Sequence, residues 1–167
     1  MSHYIYCQGS LRIDHQLASA HYAYLQRFAD TRRMRRHEEK IVLLPDPIRE
    51  AVGLPVGPQG AFYVGGVEVG ETIVDYNRPP KDQWDLYCPW RPSEDGMHME
   101  PAESINNYEN SYPHWMSYLI EHFMGPWGYS LSGTVEVRGE TWEASYKMHM
   151  RENQWYSPPE FTPYGLR

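Results

Sequence analysis

Seven apolar side chains, Tyr112, Trp115, Met116, Leu119, Ile120, Phe123 and Met124, recur at offsets of 0, 3, 4, 7, 8, 11 and 12 along the chain. At 3.6 residues per turn these positions form one unbroken stripe. The spacing predicts a helix with a single apolar side, and such a helix is stable only when another layer covers that side. Asn110 or Ser111 can cap its start, Pro113 is tolerable in the first turn, and Gly125-Pro126 stops it. Burying several of these side chains, at about 1.5–3 kcal/mol each, makes this helix the centre of the core.

The covering layer is read from period-two alternation. Tyr4 to Ile13 is rich in aromatic and β-branched residues and reads as a strand, with Gly9 marking a bulge or a close backbone approach. Leu131, Gly133, Val135 and Val137 alternate with polar residues, as do Tyr146, Met148 and Met150, which predicts two strands with one wet face. Leu86, Cys88 and Trp90 alternate too, and Pro89 moves that strand toward an edge. Asp95-Gly96 signals a hairpin turn, with Met97–Glu100 as the return strand. Ala61–Val64 and Val67–Val74 read as a further short pair separated by Gly65-Gly66. A second long helix is expected over Ala18 to Met34, presenting Leu17, His21, Tyr24, Leu25, Phe28 and Ala29 on one side. A short helix is expected at Pro47–Val52, capped by Asp46 and stopped by Gly53. Hairpin signals outnumber crossover units, so the expected fold class is α+β, a mostly antiparallel sheet with two long helices packed on one face. Residues 1–156 are expected to form one domain, followed by a Pro-rich tail over 157–167.

Composition narrows the function classes. The 167-residue chain carries 15 Lys+Arg against 22 Asp+Glu, a net charge of −7, which argues against a general nucleic-acid binder. No apolar run approaches the ~18 residues of a membrane span and the first ten residues lack a signal-peptide pattern, so a cytoplasmic protein is expected, with no membrane partner. Its two cysteines, Cys7 and Cys88, form no scaffold pattern and read as reduced thiols. Charge is unevenly spread: residues 1–50 hold eight basic and six acidic side chains, whereas residues 84–160 hold four and twelve. Acids such as Glu94, Asp95, Glu100, Glu103 and Glu109 could attract a basic partner, or serve only as solubilising charge.

The sharpest charged motif is Thr31-Arg-Arg-Met-Arg-Arg36. Arg32, Arg33, Arg35 and Arg36 could grip phosphates or carboxylates in bidentate fashion, or could simply complement a helix C-terminus, with Glu38 and Glu39 close enough to pair. Trp84 and Trp90, with Trp127, Trp142 and Trp155, fall near loops or strand ends, where Trp beside Arg has the composition of a binding hot spot or of loop packing. Asp75, Asn77 and Arg78, near Trp84 and Trp90, could serve a small hydrolase-like enzyme, and Asp75 with Glu68 or Glu71 could form a carboxylate pair. No catalytic residue is assigned: there is no Gly-x-Ser-x-Gly elbow and no phosphate loop. His114 and His122 lie eight apart, where zinc-binding pairs on a helix lie four apart, so neither a metal site nor a cofactor is expected.

Five stretches occur together: Gln8-Gly-Ser-Leu-Arg-Ile-Asp14, Thr31-Arg-Arg-Met-Arg-Arg36, Asp75-Tyr-Asn-Arg-Pro-Pro80, Leu86-Tyr-Cys-Pro-Trp-Arg-Pro92 and Pro126-Trp-Gly-Tyr-Ser-Leu-Ser-Gly133. In combination they resemble a family of small uncharacterised proteins of bacteriophages, prophages and bacterial mobile elements, over residues 4 to 153. The resemblance brings no catalytic residues. It implies an accessory protein in the cytoplasm of a host bacterium, a setting in which small proteins often inhibit defence systems such as CRISPR-Cas or restriction. Two departures stand out: Thr141-Trp-Glu-Ala144 replaces a run of aspartates after Gly139-Glu140, and Ala18 stands where a capping Ser or Thr belongs, at a cost of roughly 1 kcal/mol.

Three functions therefore compete. The first is a non-enzymatic protein that binds a host protein or protein complex. The second is a small hydrolase-like enzyme using the Asp75–Arg78 region. The third is a direct nucleic-acid binder through Arg32–Arg36. The sequence leaves the oligomeric state open.

Overall fold

The computed structural model describes residues 4–106, 111–139 and 145–156. In chain order the elements are β1 (Tyr4–Ile13), α1 (Ser19–Asp30), β2 (Arg35–Arg36), α2 (Glu38–Ile41), α3 (Pro47–Glu50), β3 (Ile73–Asp75), β4 (Trp90–Pro92), β5 (His98–Pro101), β6 (Ser104–Asn106), α4 (Ser111–Leu119), β7 (Leu131–Arg138), β8 (Tyr146–Arg151) and β9 (Gln154–Tyr156). A 3-10 turn lies at Pro58–Gly60, and a π-helical turn, Ile120–Met124, continues α4. The fold class is α+β, as the sequence implied. The chain forms two compact units: one joins the residues up to Leu17 to those from Pro89 onward, and the other is Ala18–Cys88.

The first unit is an antiparallel sheet in the order β4-β5-β1-β7-β8-β9, with β6 also paired to β1. Register explains why one face is apolar. Cys7 lies opposite Val137, Ile13 opposite Leu131, Val135 opposite Met148 and Val137 opposite Tyr146, and all of these are buried. Leu11 also faces Met99 across the β1–β5 ladder. Helix α4 packs on this face. The Trp90 indole donates to the Tyr112 carbonyl at 2.9 Å, and the Tyr112 hydroxyl donates to the Ala102 carbonyl at 2.7 Å. Of the predicted stripe, Tyr112, Trp115, Met116, Leu119, Phe123 and Met124 are buried and Ile120 is half-buried.

Two glycines are required by close approach. Gly9 has φ +103°, and a Cβ there would lie 2.9 Å from the Thr134 carbonyl on the neighbouring strand. This is the close backbone approach that a glycine inside a strand signals. At Gly125 a Cβ would lie 2.7 Å from the Ile120 carbonyl, which accepts the Gly125 amide hydrogen bond closing the π turn.

β9 went unpredicted. Its hairpin turns on Glu152 and Asn153, both at positive φ, instead of the Asn-Gly or Asp-Gly that marks such turns. The Asn153 side chain secures the turn by donating to the Tyr129 carbonyl and accepting from the Leu131 amide. The expected tail, 157–167, and the Thr141–Ala144 substitution lie outside the described residues.

The second unit differs more from expectation. Helix α1 ends at Asp30, short of Met34, because the Thr31 hydroxyl turns back to the Arg27 carbonyl and the following residues become extended. Ala18 is its N-cap and supplies no side-chain bond. Tyr24, Leu25, Phe28 and Ala29 are buried on its inner side, whereas His21 is only half-buried. Asp46 stands at the N-cap of α3 but makes no side-chain cap bond. Its carboxylate instead accepts from Arg49 Nε at 2.9 Å and from the Val64 amide at 3.1 Å.

The strand pair expected over 61–74 is absent: only Ile73–Asp75 is a strand, and its partner is Arg35–Arg36. Side chains explain this. The carbonyls of Ala61, Phe62, Tyr63 and Val64 accept from Arg33, Tyr24, Arg33 and Arg27 respectively, so the ladder's acceptors are already used. A small cluster of Ile41, Val56 and Tyr63, with Leu44 and Val67 against it, completes this unit's apolar packing.

Candidate functional site

The arginine run that closes α1 on the sequence reading is instead an extended segment. Its backbone is held by Arg33 N–H to the Leu86 carbonyl at 2.7 Å and by Arg35 N–H to the Arg78 carbonyl at 2.9 Å. Extension splits the run between two environments. Arg32 and Arg35 lie at the surface, half-buried, whereas Arg33 and Arg36 point inward at 2% exposure each.

Arg33 and Arg36 therefore do not present their guanidinium groups to an external phosphate, contrary to the four-arginine grip the sequence suggested. Arg33 donates to the Ala61 carbonyl at 3.0 Å and to the Tyr63 carbonyl, and its guanidinium lies 4.2 Å over the Phe28 ring. Arg36 lies 4.7 Å from the Tyr63 ring centroid, and both its Nη atoms lack an acceptor among the described residues. Burial, aided by the like charge of Arg33, draws the Arg36 guanidinium down to about 10. Burial pushes the Tyr63 phenol up, against the pull of Arg36. These two arginines are structural: one ties carbonyls together, and the other stacks on a ring.

The outward pair meets the other predicted group. Arg32 lies 3.9 Å over the Tyr76 ring, donates through Nε to the Tyr76 carbonyl at 3.0 Å, and donates through Nη2 to Asn77 Oδ1 at 3.1 Å. Arg35 lies opposite Asp75 in the β2–β3 ladder and donates through Nε to the Pro79 carbonyl at 2.9 Å. The Asp75 carboxylate accepts from the Asn77 amide at 2.9 Å and faces Arg78 Nε at 4.0 Å. Arg32, Arg35, Asp75, Asn77 and Arg78 thus form one surface, in which the Asp75 carboxylate faces Arg78 and lies opposite Arg35.

Segment 84–88 is tied to the extended arginine run through the Arg33–Leu86 bond and carries Trp84 at 45% and Tyr87 at 47% exposure. Trp90 is placed differently from the sequence expectation. It belongs to the other unit, is 1% exposed, and holds α4 through its indole N–H, so it is a core residue and not a contact residue.

Tyr76 was missed as a site residue. Its ring carries Arg32, and the only sequence hint was its place inside Asp75-Tyr-Asn-Arg78. Among the described residues no group of three or more His, Cys, Asp or Glu side chains is arranged to hold a metal ion. An open cavity of about 660 Å3 lies elsewhere, in the first unit, lined by Ser93, Glu94, Asp95, His98 and Glu100. The Ser93 hydroxyl and the Met97 amide hold Asp95 below the usual carboxylate range. No helix among the described residues is long and apolar enough to cross a membrane. No family model, curated protein or solved structure matches the chain.

Proposed function

We propose that this chain is a non-enzymatic accessory protein of a phage or mobile element that acts in the host cytoplasm by occupying a host macromolecule. The partner is a protein complex of a bacterial defence system, of the CRISPR-Cas or restriction class. The observation that carries the reading is the surface built by Arg32, Arg35, Tyr76 and Arg78, together with Trp84 and Tyr87 exposed on a segment bonded to the same arginine run. Arginine, tyrosine and tryptophan dominate binding hot spots because each offers a large contact area together with a polar handle. Arg32 is already held by a ring and two acceptors, so little side-chain freedom is lost on docking. Asp75 supports the same reading, because its carboxylate organises the loop amide of Asn77 and faces a cation. The setting comes from the resemblance to phage and mobile-element proteins.

The test is phage plating on strains that carry one defence system each, with the chain expressed from a plasmid. The expected result is restored plating on at least one strain, lost in a double Arg32→Ala/Trp84→Ala variant that accumulates to the same level. Unchanged plating on every strain, or full activity in the double variant, overturns the proposal.

A further inference from the structure

The buried side of the sheet is covered by α4; its other side carries exposed polar and cationic side chains, and its composition is unlike that of the chain as a whole. Cross-strand register arranges this side in rows. His98, Arg12 and Ser132 lie level across β5, β1 and β7, and Arg151 on β8 continues the row. The next row is Ser10, Thr134, His149 and Tyr156, and the β5 register continues it to the exposed carboxylate of Glu100. Gln8, Glu136 and Lys147 form a third, and Tyr6 with Arg138 begins a fourth.

Over β1, β7, β8 and β9 this face holds Arg12, Arg138, Lys147 and Arg151 against a single carboxylate, Glu136, in a chain whose net charge is −7. Gln8, Arg12, Thr134, Lys147 and Arg151 are exposed. Two rings lie among the cations: Tyr6 beside Arg138, at 5.4 Å, and Tyr156 beside Arg151, at 4.9 Å, with His149 a further 5.4 Å from Tyr156. At about 4.8 Å per strand and 3.3 Å per residue, the two tyrosines are separated by roughly 19 Å of polar, cationic sheet.

The geometry points to a second binding surface here, for single-stranded nucleic acid. Cations in rows attract a phosphate backbone, and rings beside them give unpaired bases a stacking platform; Ser10, Gln8 and Thr134 supply further hydrogen-bonding groups. An acidic peptide would use the cations and leave the rings idle, so the observations favour the nucleic acid. The acids beside this face gather at its β5 end, where Glu94, Asp95 and Glu100 line a cavity with His98, so the cationic stretch is the one over β1, β7 and β8. The surface belongs to the first unit, whereas Arg32 and Trp84 belong to the second.

Fluorescence anisotropy with labelled oligothymidylate and oligouridylate of about twelve nucleotides tests it. Affinity should fall about 20-fold between roughly 50 and 200 mM salt, the slope for three exposed cations (Arg12, Lys147 and Arg151) on a single strand. The double Arg12→Ala/Arg151→Ala variant should weaken binding at least about tenfold, and Tyr156→Leu should weaken it by about tenfold through lost stacking. A double Arg32→Ala/Arg35→Ala variant removes the same charge elsewhere and should bind as the parent does. Equal loss in that control, no binding at low salt, or tighter binding of an oligoglutamate peptide than of either oligonucleotide overturns the inference. Plating activity retained in the Arg12/Arg151 variant separates failure of this surface from failure of the defence reading.

Discussion

Arg33 and Arg36 are equally buried and three residues apart, yet removing their charges should move stability in opposite directions. Arg33→Met deletes two charge-assisted hydrogen bonds to carbonyls of the 61–64 segment. The Ala61 carbonyl keeps a donor in Gln83 Nε2 at 2.8 Å, whereas no second donor to the Tyr63 carbonyl compensates for the loss of Arg33 among the described side-chain bonds. One orphaned buried acceptor costs about 1–3 kcal/mol, and the lost cation–π contact with Phe28 costs about 1 more. Relief of the Arg33 desolvation offsets part of this, so the net loss is about 2–3 kcal/mol.

Arg36→Met removes no bond from either Nη. A folded-state value of about 10, well below the ordinary guanidinium range, means that burial disfavours the charged form by about 3 kcal/mol below pH 10, a penalty that fades as pH rises further. Loss of the contact with Tyr63 returns about 1–2 kcal/mol, and a methionine sulfur can still face that ring. The net effect at pH 7 is a gain of about 1 kcal/mol. Urea unfolding followed by tryptophan fluorescence and far-UV circular dichroism reads both. With m near 2 kcal/mol/M the midpoint should drop by about 1–1.5 M for Arg33→Met and rise by about 0.5 M for Arg36→Met. Equal losses in the two variants, or the reverse order, would refute the assignment of one arginine as a tie and the other as an unsatisfied charge.

Gly9→Ala should cost about 2 kcal/mol or more, read as a lowered melting temperature, because the added methyl meets the Thr134 carbonyl at a positive φ. Trp115→Ala should cost about 3–5 kcal/mol in the same measurement, since Trp115 is fully buried at the centre of the α4 stripe. Both cysteines are buried, and burial pushes the Cys7 thiol up to about 12. A thiol reagent at pH 8 should therefore label neither cysteine in the native protein and both in guanidinium. The raised Cys7 value also means that stability is fully present below about pH 9 and declines as pH climbs from there toward 12, which denaturant titrations at pH 8 and 10.5 would show.

What the sequence disclosed depended on whether a signal was local. The 112–124 stripe and the alternations in β1, β7 and β8 are local patterns, and each matches the structure closely. The 61–74 segment looked equally strand-like, but its carbonyls are taken by Tyr24, Arg27 and Arg33, and no local pattern records a long-range acceptor. The arginine run shows the same limit. Its charge is visible, but which members face inward depends on the end of α1 at Asp30 and on strands 40 residues away. Arg32 and Asn77 were each noticed, but their pairing spans 45 positions. Trp90 had the right composition for a contact residue, and only its place under α4 shows otherwise.

β1 sits in the interior of its sheet, yet its partners begin at His98 and end at Arg138. During synthesis it leaves the ribosome some 85 residues ahead of the nearest of them, at about 5–20 residues per second, with Ile5, Leu11 and Ile13 still uncovered. The wait is filled by Ala18–Cys88, a unit with its own apolar packing. Pairing across so long an intervening stretch makes for slow acquisition of the native state, and during that interval a nascent β1 is an adhesive edge that a chaperone would be called upon to shield.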